Sequence, residues 1–156
     1  MPISNEGLNL IKYFEGSRLI VYKDTNGKAT VGTGHLVQSK DNLQIGDAIT
    51  QEQADAFLQA DLINAENKVR RFVTIPLVQC ELDSLISQAY NMTSFSVLAQ
   101  RLQNEGRVVY LQKLLLYCHD AKGHELLGLK RRRYAEEYLF TGQSWSQILP
   151  QVEAMI

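Results

Sequence analysis

The sequence has little cysteine, no excess of charge of either sign and no long apolar run. Cys80 and Cys118 are the only cysteines in 156 residues. They lie outside any C-x-x-C spacing, in stretches that read as apolar and helical, so both are expected to be buried reduced thiols rather than a disulfide. Sixteen Lys and Arg face seventeen Asp and Glu, a formal charge of −1. That balance argues against a chain that works mainly by coating nucleic acid or an anionic membrane. No run approaches the ~18 apolar residues of a spanning helix, so stable membrane insertion is not expected. Met1-Pro2-Ile3-Ser4-Asn5-Glu6 has neither a basic n-region nor an apolar h-region, so no cleavable signal peptide is expected and synthesis in the cytoplasm is.

What is present suits an ordinary globular domain. Hydrophobic residues make up 45% and charged residues 21%. A chain of this size can bury roughly 70% of its unfolded surface without a disulfide or metal staple. It is read as one domain over 1–156. Leu8, Leu10, Ile11 and Phe14 repeat at helical spacing over Gly7 to Glu15, with Ser4 as candidate N-cap and Gly16 as candidate C′ residue. Leu19-Ile20-Val21-Tyr22 and Ala29-Thr30-Val31-Gly32-Thr33-Gly34 then read as strands around an Asn26-Gly27 turn, with a third strand near Leu36 and Val37. This hairpin is the only β structure expected. From the Thr50-Gln51-Glu52-Gln53 capping box onward the chain reads as helical. A helix of about 20 residues carries Ala54, Phe57, Leu58, Leu62, Ala65, Val69 and Phe72 on one face. Further helices are expected over Leu77–Met92, Ser96–Gln103, Arg107–Cys118, Leu129–Phe140 and Trp145–Met155, with Pro150 weakening the last. The fold class is α+β, mainly α.

Chemistry-bearing residues gather between positions 15 and 35. Two carboxylates, Glu15 and Asp24, and the Thr30 hydroxyl around a hairpin suit acid/base hydrolysis of a glycosidic bond. Glu15 ends an amphipathic helix, where the electronegative terminus disfavours the ionised carboxylate, as a general acid requires. Taken alone it reads first as a surface residue at a helix end. Asp24 could hold or activate a water, or merely shape the loop as an Asx-turn residue. Thr30 could fix the same water, or be an ordinary β-branched strand residue. A shared water requires Asp24 and Thr30 on one face. A two-residue Asn26-Gly27 loop would put them on opposite faces. A three-residue Asn26–Lys28 loop would pair them directly, so an odd-length loop with positive φ at Gly27 is expected.

Gly7-Leu8-x-Leu10-Ile11-Lys12-x-Phe14-Glu15-Gly16, Tyr22-x-Asp24 and Thr30-Val31-Gly32-x-Gly34-His35 resemble the phage-type lysozymes of glycoside hydrolase family 24, among them the T-even and lambdoid phage enzymes. The family's Glu-Asp-Thr spacing of nine and then six residues is reproduced by Glu15, Asp24 and Thr30. Ile49-Thr50, Ala89-Tyr90-Asn91 and Gly128-Leu129-Lys130-Arg131-Arg132 through Phe140-Thr141-Gly142 extend the resemblance over nearly the whole chain. It implies a lysozyme-like fold with lobes roughly over 12–58 and 72–156 plus the N-terminal helix, and a cleft between them. It implies a muramidase that cleaves the β-1,4 bond between N-acetylmuramic acid and N-acetylglucosamine of peptidoglycan glycan strands, for host cell lysis. Glu15 would be the acid, with Asp24 and Thr30 handling the water. Inversion, implied by the T-even branch, would place the two carboxyls about 6.5–9.5 Å apart. The resemblance also implies sugar contacts from Leu36, Tyr90 and Asn91, an ion pair between His35 and Asp61, and an Arg131 that pairs with the catalytic Glu. No cofactor and no metal are implied, and a monomer is expected. Its substrate lies beyond the cytoplasmic membrane, so a holin or a secretion machine would have to release it to the wall in the periplasm.

The chain departs from the family at Thr33, where a Tyr or Ile is usual, at Tyr117, where a Trp is common, and in charge, since many members are basic. Met92-Thr93-Ser94-Phe95 replaces a longer glycine-rich run. The Lys130–Arg133 run could be a nucleic-acid patch, but Glu136 and Glu137 beside it favour a solvated helix face with one inward arginine. Cys118-His119 and His124 lack a fourth ligand at standard metal spacing, so no metal site is expected. Two other readings stay open: a lysozyme fold kept as a binding module without turnover, and a muramidase toxin delivered into rival cells.

Overall fold

The computed structural model describes residues 2–156. In chain order the elements are α1 (Asn5–Glu15), β1 (Arg18–Lys23), β2 (Ala29–Gly32), β3 (His35–Leu36), a 3-10 turn at Ser39–Asp41, α2 (Gln51–Phe72), α3 (Gln79–Asn91), α4 (Phe95–Glu105), α5 (Arg107–Leu114), α6 (Leu127–Phe140) and α7 (Trp145–Glu153). Two compact units result. One holds Glu15–Asn64; the other holds the chain up to Phe14 together with Ala65–Ile156.

The Glu15–Asn64 unit is built on an antiparallel sheet of order β1-β2-β3. Alternation assigns the faces: Val31 is fully buried and Val21 nearly so, and both join a small core with Ile49 and Ala54. Ala29, Val37, Leu43 and Phe57 pack around it. The outer edge of β1 is covered by the segment before α2, where the Val21 N–H donates to the Asp47 carbonyl and the Ile49 N–H to that of Leu19, both at 2.8 Å. This second pairing coincides with an irregularity in the β1–β2 register between Arg18 and Tyr22. The Thr50–Gln53 capping box forms: the Gln53 N–H donates to Thr50 Oγ1 (3.1 Å), and the Thr50 N–H to Gln53 Oε1 (2.8 Å).

The other unit is organised around α3, in which every residue from Glu81 to Ala89 is buried. A helix buried all round usually carries only apolar side chains. This one also carries Glu81, Asp83, Ser84, Ser87 and Gln88, and each needs a partner. Arg107 on α5 grips Glu81 through two hydrogen bonds of 2.6 and 2.9 Å. Asp83 accepts the Ser4 N–H at 3.0 Å and the Ser4 hydroxyl. Ser4 thus spends its side chain on α3 instead of capping α1. Tyr110, fully buried, donates to Gln88 Oε1 at 2.6 Å. Ser84 and Ser87 both donate to Glu136, to its carbonyl (2.6 Å) and its carboxylate (2.7 Å). Close approach of α1 to α3 requires Gly7, because a Cβ there would sit 2.9 Å from the Asp83 Cβ. Leu82, Leu85, Ile86, Leu98, Leu102 and Leu139 supply the apolar core.

Three expectations are corrected. Helix α5 stops at Leu114, not Cys118; Leu116 and Tyr117 continue in tight i→i+3 turns. The N-terminal hairpin is not the only β pairing, since His119 and Glu125 form an antiparallel bridge. The Lys130–Arg133 run is no solvated face: Arg132 and Arg133 are only 3% and 1% exposed. The physical reason is Glu136, fully buried one turn further along α6, which ion-pairs with Arg132 at 3.2 Å and Arg133 at 3.1 Å. Cys80, half-buried, and Cys118, buried, are both free thiols. No helix among the described residues is long and apolar enough to cross a membrane.

Candidate active site

The hairpin tip is a three-residue loop, Thr25-Asn26-Gly27. The Asp24 N–H donates to the Lys28 carbonyl at 2.9 Å, and the Gly27 N–H to the Asp24 carbonyl at 3.0 Å. Gly27 has φ +79°, the left-handed residue such a loop demands. The odd length agrees with the sequence expectation, but the register is two residues away from it. Thr30 stands opposite Tyr22, not opposite Asp24. A shift of two preserves the face, because side chains alternate with period 2. Asp24 is therefore diagonal to Thr30 on the face that also carries Tyr22 and Leu36. Leu36 pairs directly with Thr30 and is 48% exposed.

Asp24 Oδ1 accepts two backbone hydrogen bonds, from Asn26 (2.9 Å) and Lys28 (2.8 Å). The loop-shaping role and the possible chemical role thus divide between the two oxygens. Oδ1 holds the turn, and Oδ2 has no hydrogen bond among the described residues. Thr30 is buried, and its hydroxyl donates to the Lys28 carbonyl at 3.1 Å, leaving its lone pairs as acceptors. Glu15 is half-buried at the last turn of α1. Gly16 follows with φ +68° and releases the chain into β1.

His35 faces the core side of the sheet and stacks on Phe57 with ring centroids 4.1 Å apart. Its Nδ1 meets Asp61 at 2.7 Å, and its Nε2 meets Asp41 at 2.8 Å. Ionised carboxylates only accept, so both contacts are hydrogen bonds only when the ring is an imidazolium. Burial works against that charge, but hydrogen bonds and charges from Asp41 and Asp61 outweigh it and raise the pKa above the ordinary 6.5. For Asp41, burial pushes upward, yet the Gln38 N–H and His35 more than offset it and hold the carboxyl below its ordinary 3.8. The raised His35 value stabilises the fold fully below pH ~6.5, and this is lost as pH rises through the folded value. The lowered Asp41 value stabilises above pH ~4, and this is lost as pH falls through its folded value. We therefore expect His35→Asn to lose most stability between pH ~4 and ~6.5. In urea melts at pH 5.5 and pH 9, an equal loss at both would show that the ring acts by packing alone.

In the helical unit, Asn91 ends α3 and Tyr90 precedes it. Asn91 Oδ1 accepts a hydrogen bond from Arg133 Nη2, so its amide N–H groups are the part left to meet a ligand. Asn91 lines a groove of about 210 Å³ with Met92, Thr93, Ser94, Tyr117 and Arg133. Arg131 is half-buried and donates to the Met155 carbonyl.

Three groups went unnoticed in the sequence. Asp41 left no trace, because the turn that brings it to His35 has no periodicity. Arg133 was masked by its own basic run; its i,i+3 spacing to Glu136 was the available signal. Glu125, whose carboxylate oxygen clusters with Cys118 Sγ and a His119 ring nitrogen within 4.8 Å, was overlooked in favour of His124. His124 instead turns toward Asp120 at 3.3 Å.

A family profile described as phage lysozyme matches residues 12–136. An endolysin of Acyrthosiphon pisum secondary endosymbiont phage 1 is 39% identical over 147 residues, covering 90% of this chain and 98% of its own. The endolysin from Escherichia coli O157:H7 phage FAHEc1 superposes with a TM-score of 0.78 at 30% identity, covering 91% of this chain and 94% of that one. The muramidase domain of SpmX from Asticcacaulis excentricus gives 0.80 at 30% identity, over 90% of this chain and 98% of that one.

Proposed function

The chain belongs to the phage lysozyme family and is a peptidoglycan-lysing muramidase, and from that premise we propose its reaction and the residues that carry it. It hydrolyses the β-1,4 bond between N-acetylmuramic acid and N-acetylglucosamine with inversion. Glu15 protonates the leaving oxygen. Asp24 Oδ2 and the Thr30 hydroxyl hold the attacking water on the opposite side of the sugar. The observation that supports this reading is the shared sheet face of Asp24 and Thr30, with Oδ1 fixed by the turn and Oδ2 unengaged. Leu36, on that same face, and Tyr90 and Asn91 contact sugar, and Arg131 acts on Glu15. Monomeric action and release by a holin or secretion machine, from the cytoplasm to the wall, belong to the same proposal.

Asp24→Asn is the informative variant. Asparagine keeps an Oδ1 that accepts from Asn26 and Lys28, so the turn persists and stability stays within about 0.5 kcal/mol of wild type. The charge is gone, so cell-wall clearing is expected to fall by roughly 10²–10⁴-fold. Activity equal to wild type would confine Asp24 to shaping the loop. NMR of the first product formed tests the stereochemistry: the α-anomer supports inversion and the β-anomer overturns it. Released fragments with 1,6-anhydro ends in place of reducing ends would identify a transglycosylase instead.

A further inference from the structure

The α5–α6 connection repeats the local geometry of the catalytic hairpin. Asp120-Ala121-Lys122-Gly123-His124 matches Asp24-Thr25-Asn26-Gly27-Lys28 bond for bond. Asp120 Oδ1 accepts from the N–H groups of Lys122 and His124, both at 2.9 Å. The Asp120 N–H donates to the His124 carbonyl at 2.9 Å, and Gly123 has φ +86°. This tight loop sets His119 directly opposite Glu125 in the antiparallel bridge. The Leu126 N–H closes the next rung on the Cys118 carbonyl at 2.9 Å. A thiol, an imidazole and a carboxylate thereby converge, their ligand atoms all within 4.8 Å of one another.

We propose that Cys118, His119 and Glu125 form a zinc-binding site that clamps the α5–α6 connection. The donor set is the borderline-soft mixture of S, N and O that Zn²⁺ takes, and it is too soft for Mg²⁺ or Ca²⁺. Cys118 Sγ lies 3.7 Å from His119 Nδ1. Bonds of about 2.3 Å to sulfur and about 2.05 Å to nitrogen at a tetrahedral angle require a separation of about 3.6 Å. The donors all lie within 4.8 Å of one another, and a tetrahedral edge spans about 3.4–3.6 Å, so the carboxylate has to close by no more than about 1.4 Å; Glu125 is exposed and able to do so. On binding, the thiol gives its proton to solvent. The imidazole moves its proton to Nε2 and releases the Leu116 carbonyl, which Nδ1 approaches at 3.2 Å. A water completes the fourth position. Lys130 opposes the metal, since its ammonium holds Glu125 at 3.0 Å.

The test uses the full chain, the metal alone as probe, and no assay of activity. Co²⁺ titration of the reduced protein is expected to give one equivalent bound, with a thiolate-to-cobalt charge-transfer band in the near ultraviolet that Zn²⁺ abolishes. Zn²⁺ should raise the melting temperature. Cys118→Ser should lose the band, and both Cys118→Ser and Glu125→Gln should weaken Zn²⁺ binding at least ~10-fold. Lys130→Gln should tighten it by removing the competing cation. Glu125 is exposed, so its variant folds even if the buried Cys118 does not tolerate change. Equal Zn²⁺ affinity in wild type, Cys118→Ser and Glu125→Gln overturns the proposal, as does a cobalt complex without the charge-transfer band.

Discussion

Glu15→Gln is expected to reduce clearing of a cell-wall suspension by roughly 10²–10⁴-fold. The substitution keeps the shape of the side chain and its ability to hydrogen-bond. It removes the one thing a general acid supplies, a transferable proton. Glu15 is half-buried at the last turn of α1, and Gly16 after it makes the left-handed step by itself. The variant should therefore melt within about 0.5 kcal/mol of wild type. That separation of activity from stability is the diagnostic. A parallel fall in both would indicate damage to the helix end. Equal clearing by wild type and variant would remove Glu15 from the chemistry and favour a binding module on a lysozyme fold.

Glu136→Ala is expected to cause the largest loss of stability, about 3–5 kcal/mol. The carboxylate is fully buried and faces two arginines that are themselves 3% and 1% exposed. It also accepts from Ser87 at 2.7 Å. Burial pulls Arg133 below its ordinary pKa, and the Glu136 charge works against that pull. Without Glu136, the Arg133 guanidinium would stay out of water without the carboxylate that offsets its burial. Domains of this size are stable by only ~5–15 kcal/mol, so the loss would be a large part of the total. A urea melt should show a lower midpoint with an unchanged slope. The exposed Arg101–Glu105 pair of α4, a shorter ionic contact of 2.8 Å, is the control: water and salt screen it, and its removal should leave the midpoint almost unmoved. A Glu136→Ala midpoint equal to that control would mean the buried cluster reorganises without cost.

The network also bears on the site. Arg133 reaches from Glu136 to Asn91, so the residue proposed to contact sugar is held from behind by the same buried charges. A destabilised cluster should therefore loosen Asn91 before it unfolds the unit.

The sequence determined what depends on near neighbours. The spacing of Glu15, Asp24 and Thr30 was legible, because a hairpin and the helix before it are encoded within about 20 residues by period and turn chemistry. The need for an odd loop followed from strand alternation once Asp24 and Thr30 had to share a face, and Gly27 satisfied it. The Thr50–Gln53 box was equally local. The tertiary structure decided what depends on distant partners. The loop could have started at Thr25 or Asn26 with the same parity; only the bonds between Asp24 and Lys28 chose the first and set Thr30 against Tyr22. All but one of four adjacent basic residues looked solvated because charge in sequence is read as charge on a surface. Glu136, held by serines 49 and 52 residues away, made it possible to bury two of them, Arg132 and Arg133. Asp41 and Glu125 came to their histidines through turns that bear no periodic signal. A buried charge is placed by whatever element happens to pack over it, and packing joins residues that no local pattern relates.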